Sequence, residues 1–161
     1  MPLLLMWLLA CSPEDESAPL QAVLGTGDWQ WKSLQEGDDI AVIMGPQGGY
    51  HLLGSLRVSG VEPGDPKDLS HPDNPTTRFS VWFEDRNLTE NAVFVQGLDP
   101  VSEDMPPYAF EMLGRFAILD ILDDDELDGV ELQFEVEVQD VHGNVASDSY
   151  LLQAYSHPNN G

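Results

Sequence analysis

The sequence has little positive charge, a single cysteine and no apolar run long enough to cross a membrane. Six Lys and Arg residues stand against 29 Asp and Glu residues in a chain of 161, which gives a formal net charge of −23. Proteins bind nucleic acid through clustered basic residues, so this balance excludes a nucleic-acid partner. It also excludes docking on anionic lipid headgroups through a basic patch. One cysteine excludes an internal disulfide and any multi-cysteine zinc or iron–sulfur site.

The apolar content is nevertheless that of a folded domain. Hydrophobic residues make up 42% of the chain, too much for a disordered acidic tail. They fall in short runs separated by Gly, Pro, Asn and Asp, a spacing that is typical of an all-β domain. We expect about seven strands, over residues 39–44, 50–60, 77–85, 91–97, 109–122, 129–140 and 145–155.

The clearest strand pattern covers residues 130–139. Apolar Val130, Leu132, Phe134, Val136 and Val138 alternate with Glu and Gln. A period of two predicts a strand with one buried face and one solvated face. The sequence from Asp140 to Asn144 then supplies turn residues, which predicts a hairpin with the following strand.

The third predicted strand places most of its aromatic and aliphatic residues on one face. In the third strand Phe79, Val81 and Phe83 share one parity, which leaves Trp82 on the opposite face.

Residues 110–122 also fit a helical stripe, but we predict a strand there. Its parity would put Phe110, Met112, Phe116 and Ile118 on one face.

These strands and the terminal hairpin resemble an immunoglobulin-like or fibronectin III-like domain over residues 38–155. The resemblance implies a single immunoglobulin-like antiparallel β-sandwich. We expect the domain to cover residues 28–155 and residues 156–161 to form a frayed C-terminal tail.

The N-terminal residues resemble a bacterial lipoprotein signal. An apolar run over residues 3–10 ends in Leu8-Leu9-Ala10, and Cys11 follows at once, as in a lipobox. The resemblance implies that residues 1–10 are a signal peptide, that Cys11 carries lipid, and that residues 11–27 are a flexible linker. Two or more acyl chains anchor a protein stably to a membrane. Ser12, rather than Asp, after the cysteine implies a place in the outer membrane.

A second resemblance lies in the segment Gly45-Pro46-Gln47-Gly48-Gly49, followed by Tyr50 and His51. It is similar to a set of envelope lipoproteins of predatory and myxobacterial lineages. That resemblance implies a cell-envelope location and the fold, and it implies no activity.

Three groups of residues are candidates for a site. Asp124, Glu126 and Asp128 have the spacing of a calcium loop, and the alternative is a solvated acidic turn between strands. His51, after the glycine-rich loop, is either a ligand or metal contact or part of a tight connection. Trp29 and Trp31 either stack on a sugar ring or pin the first strand to the core.

The sequence therefore predicts a lipid-anchored, non-enzymatic envelope protein with a binding or structural role and a protein or glycan partner. It assigns no catalytic residues and no cofactor except calcium at Asp124, Glu126 and Asp128. One alternative is a calcium-stabilised adhesion module. Another is an enzyme, or its accessory, that acts on envelope polymers and uses a carboxylate pair with shifted pKa values.

Overall fold

The computed structural model describes residues 18–89, 92–101 and 107–160. These residues form β-strands and one 3₁₀ turn at Asp124–Glu126, which confirms the all-β class. The strands are β1 Gln21–Thr26, β2 Lys32–Ser33, β3 Asp39–Met44, β4 Tyr50–Ser59, β5 Thr76–Phe83, β6 Arg86–Asn87, β7 Val93–Val95, β8 Asp99–Pro100, β9 Phe110–Leu119, β10 Glu131–Gln139 and β11 Val145–Ser156. These eleven strands exceed the predicted number because the sequence pattern does not reveal β1 or the two-residue strands β2, β6 and β8.

The strands form two layers in a sandwich-like arrangement. Sheet A contains β2, β1, β4, β9 and β8, and sheet B contains β11, β10, β5, β6 and β7. Strand β3 joins the two layers. Its first residues pair in parallel with β11, and Ile43 and Met44 pair antiparallel with β4. The other pairings are antiparallel.

The sandwich core is apolar and draws on both sheets. The predicted face of β10 is confirmed, because Leu132, Phe134, Val136 and Val138 are fully buried while the intervening residues reach solvent. Strand β5 contributes Phe79 and Val81, and the partly buried Phe83 packs against the core, whereas Trp82 is not part of this core cluster, as the parity predicts.

The hairpin at the end of the chain is also as predicted. Asp140 accepts hydrogen bonds from the amides of His142 and Asn144 and from the Asn144 side chain, each at 2.9 Å. A fourth bond comes from the Glu62 amide at 3.0 Å. Burial raises the pKa of Asp140, but these hydrogen bonds outweigh burial and hold it below its usual range.

Both expected boundaries of the domain differ from the structure. Residues 21–26, expected in the linker, form β1, and Leu24 in that strand is fully buried. Because the sequence upstream of β1 is polar, the sequence pattern does not distinguish this strand from the linker.

The expected C-terminal tail is hydrogen-bonded to the domain. His157 and Asn160 both donate to the carbonyl of Val42, and Asn160 accepts from the Met44 amide.

Strand β9 is a strand, but its predicted facing is wrong beyond residue 112. The register with β4 shifts between Gly54 and Leu56, where β9 inserts an extra residue at Gly114. Gly114 has a φ of 62°, a conformation that glycine adopts without strain. This β-bulge reverses the parity, so Phe116 and Ile118 lie on the outer face and Ala117 and Leu119 enter the core.

Candidate functional site

The three residues of the predicted calcium site serve separate hydrogen bonds at one end of the sandwich. Glu126 accepts from the Leu122 amide, and Asp128 accepts from the Ser156 amide. The carboxylates that do lie together, with oxygens within 4.8 Å of one another, belong to Asp123, Asp124 and Asp125. Calcium binding by Asp124, Glu126 and Asp128 stays a prediction.

Asp124 is buried and holds the C-terminal residues in place. It accepts hydrogen bonds from the side chains of Asn160, at 2.7 Å, and Ser156. The hydrogen bonds from Asn160 and then Ser156 hold the pKa of the Asp124 carboxyl below its usual range. The same carboxylate adds to the effect of burial in raising the pKa of neighbouring Tyr50. Asp124 is therefore an ionised structural group.

His51 lies on the outer face of sheet A, as the sequence predicts, but it is buried there. Its exposure is 7% because Phe116 covers it, with the two ring centroids 4.3 Å apart. Burial lowers the pKa of His51, which keeps the imidazole neutral at pH 7. His51 is thus an uncharged polar group beneath an aromatic ring.

The two tryptophans have different positions. Trp31 packs against Gly25 of β1, where any side chain would collide with the indole ring, and lies 4.8 Å from the Arg57 guanidinium. This contact pins the loop between β1 and β2 across sheet A. Trp29 is 87% exposed and makes neither of these contacts.

Beneath that loop lies a buried ion pair on the outer face of sheet A. The Nε of Arg57 donates to Glu111 across 2.9 Å, and both side chains are almost inaccessible. Ser55 of β4 ties the β1–β2 loop to β9 within sheet A, since its hydroxyl donates to the Gly27 carbonyl and accepts from the Gly114 amide. Buried charges require such pairing, so the pair and its cover fix the position of the loop.

Two clefts flank Phe116 on this face. The first, of about 540 Å³, is lined by residues of the β1–β2 loop, β8 and β9, among them Asp28, Trp29, Asp99, Arg115 and Phe116. The second, of about 300 Å³, lies between the Gly45–Gly49 loop and Tyr50, His51, Phe116 and Ile118. Because Phe116 lines both clefts, they are adjacent. We call this pair of clefts the aromatic groove.

The sequence predicts only half of the groove. It indicates Trp29, His51 and the glycine-rich loop as candidates, whereas its strand parity places Phe116 and Ile118 in the core. Gly114 inside a strand pattern was the available signal, since a lone glycine in a strand often marks a bulge. Arg57 and Glu111 gave no signal, because they lie far apart in the sequence.

Cys11 and residues 1–10 lie outside the described residues, so the predicted lipid attachment and signal peptide stay predictions. Within residues 18–89, 92–101 and 107–160, no helix has the length and apolar character to cross a membrane.

Comparison with protein-family models, with curated proteins and with solved structures finds no match to this chain.

Proposed function

We propose that the protein is a lipid-anchored binding module of the bacterial cell envelope, and that the aromatic groove is its binding surface. The observation that carries the proposal is Trp29, a large apolar side chain left 87% exposed at the rim of a cleft that Phe116 also lines. Concave sites with aromatic walls and a few polar groups are the usual form of ligand sites.

The position of the groove suits a tethered protein. The chain enters the domain at Gln21, which pairs with Ser59 at the end of β4. The glycine-rich loop and His51 lie at the other end of this ten-residue strand, about 30 Å away at the usual rise per residue. A lipid on Cys11 would therefore hold the membrane side of the domain and leave the far end of the groove free.

The shifted carboxyl groups favour binding over catalysis. A carboxylic acid that donates a proton near neutral pH needs a raised pKa. In the described part of the chain, the carboxyl groups with shifted pKa values are Asp68, Asp124 and Asp140, and all three are lowered. Hydrogen bonds within the domain hold each of them ionised, so they support structure.

The anchor and the binding surface are tested separately. Radiolabelled palmitate should enter the wild-type chain in a bacterial host and fail to enter Cys11→Ser. Equal labelling of the two proteins would contradict the anchor.

For the surface, purified full-length Cys11→Ser protein is mixed with washed envelope fragments and sedimented. We expect it to co-sediment, and we expect Trp29→Ala and Phe116→Ala in the same background to stay in solution. Leu69→Ala is the matched control, since Leu69 is 72% exposed and lines neither cleft. Co-sedimentation that both groove variants retain would overturn the proposed surface.

A further inference from the structure

We infer that the aromatic groove binds uncharged sugar rings of an envelope glycan. This inference rests on the proposed function and names the ligand of the same surface. It combines three observations, namely the exposed aromatic faces, the polar groups beside them and the charge of the domain.

The aromatic side chains supply flat apolar surfaces that match a sugar ring in size. Trp29 and Phe116, the latter 48% exposed, present their rings in one cleft, and Ile118, 64% exposed, continues the apolar surface into the next. A pyranose ring has an apolar C–H face that matches such a surface. Aromatic side chains with a wet edge are favoured where one side of the ligand is apolar and the other is hydrated.

The polar groups suit hydroxyls. Asp28 and Asp99 line the larger cleft, and their carboxylates accept hydrogen bonds from ligand hydroxyl groups. The lining of the smaller cleft includes no charged side chain, because its His51 is a neutral imidazole beneath Phe116. Gly48 and Gly49 have no side-chain neighbours where a Cβ would lie, so a ring can approach the loop backbone closely.

The net charge of the protein favours some sugar polymers over others, according to whether the polymer is anionic, neutral or cationic. With a net charge of −23, the protein repels phosphate- or carboxylate-rich polymers. Arg57, beside the groove, does not offset this charge because it is paired with Glu111. Burial lowers the pKa of Arg115, and the negative charge of neighbouring Asp99 opposes that effect in part. With Glu111 paired to Arg57 and Asp99 beside Arg115, Asp28 is the carboxylate left over in the lining of the larger cleft. This lining disfavours an anionic ligand, and the exposed aromatic faces favour an uncharged ring over a polycation.

Because Phe116 lines both clefts, we expect neighbouring rings of one chain to occupy them together. A tetrasaccharide should then bind more tightly than a single sugar, since each added ring buries further aromatic surface.

The test is isothermal titration calorimetry of full-length Cys11→Ser protein with defined tetrasaccharides. The probes are the tetramers of N-acetylglucosamine, of β-1,4-glucose and of α-1,4-glucose, with tetragalacturonate as the anionic probe and tetraglucosamine as the cationic probe. We expect saturable binding of at least one neutral tetramer. Trp29→Ala should weaken it at least tenfold, Trp29→Phe should restore part of it, and Leu69→Ala should leave it unchanged.

Binding of only the charged tetramers, or neutral binding that Trp29→Ala leaves intact, would overturn the inference. If none of the tetramers binds, the envelope fragments decide between glycan and protein. Periodate cleaves vicinal diols and should abolish co-sedimentation, whereas proteinase K treatment of the fragments should not. The reverse result would assign the groove to a protein ligand, which refutes the glycan and keeps the binding function. Fragments that never bind the protein would refute both.

Discussion

The outer faces of the two sheets differ in what covers them. On sheet B the outward residues of β10 are Glu131, Gln133, Glu135, Glu137 and Gln139, and four of the five are exposed. On sheet A the outward side of β4 carries His51, Ser55 and Arg57, and all three are buried. Alternation in a sequence marks the solvated face of a strand only where no loop or neighbouring ring folds over it.

This difference distinguishes polar side chains that stabilise the fold from surface that a ligand can reach. Sheet B meets solvent with carboxylates, which maintain solubility and repel anions. Sheet A has an ion pair beneath the β1–β2 loop and an uncovered groove beside it.

The largest expected effect follows from removing one partner of the buried ion pair. Glu111→Ala leaves Arg57 buried without a counter-charge, which costs about 3–5 kcal/mol of unfolding free energy. Glu137→Ala, on the solvated face of sheet B, should change stability by about 0.5 kcal/mol or less. Urea denaturation of the two variants measures the contrast. Equal losses would mean that the faces are equally solvated.

The bulge that reverses β9 is the next test. Gly114→Ala would force a side chain into the Asp28 backbone at a positive φ, so we expect a loss of about 2–4 kcal/mol. Gly129 has a similar φ of 73° but open space around it, so Gly129→Ala should lose only about 1 kcal/mol. Thermal melts of both proteins provide the comparison. A smaller loss for Gly114→Ala than for Gly129→Ala would contradict the close packing of the loop on β9.

The tryptophans should separate stability from binding. Trp31→Ala removes the cover of Gly25 and Arg57 and should cost about 2 kcal/mol of stability. Trp29→Ala should leave stability within about 0.5 kcal/mol and affect binding alone. Chemical denaturation, read beside the envelope co-sedimentation assay, resolves the two roles. The reverse assignment of stability and binding would refute the account of this loop.

The smallest expected effect is a pH dependence at the β10–β11 hairpin. Asp140→Asn should lower stability at pH 7 by about 1–2 kcal/mol, because the charged acceptor of four hydrogen bonds is lost. The pKa of Asp140 is lowered in the folded state, so its contribution is full above its ordinary value of 3.8 and is lost as pH falls through the folded value. The gap between wild type and variant should therefore close in acid. A gap that is constant from pH 7 to pH 2 would contradict this role.

The sequence predicted the regions whose interactions are local. The buried face of β10 and the Asp140 hairpin follow from spacing and turn residues within a few positions. The outer face of sheet A depends on contacts between distant residues, as between Arg57 and Glu111 or between Trp31 and Gly25. One inserted residue at Gly114 was enough to invert the facing of Phe116, because strand parity reverses with every single-residue shift.

The central claim is that ligand meets sheet A and leaves sheet B untouched. The most direct test is an NMR titration. The neutral tetrasaccharide that binds best is added to ¹⁵N-labelled full-length Cys11→Ser protein, and the chemical shifts of the backbone amides and tryptophan indoles are followed. The account predicts shifts at the Trp29 indole, in the Gly45–Gly49 loop and around Phe116, with Glu131–Gln139 unchanged. Shifts confined to β10 and β11, with none at Trp29, would contradict it.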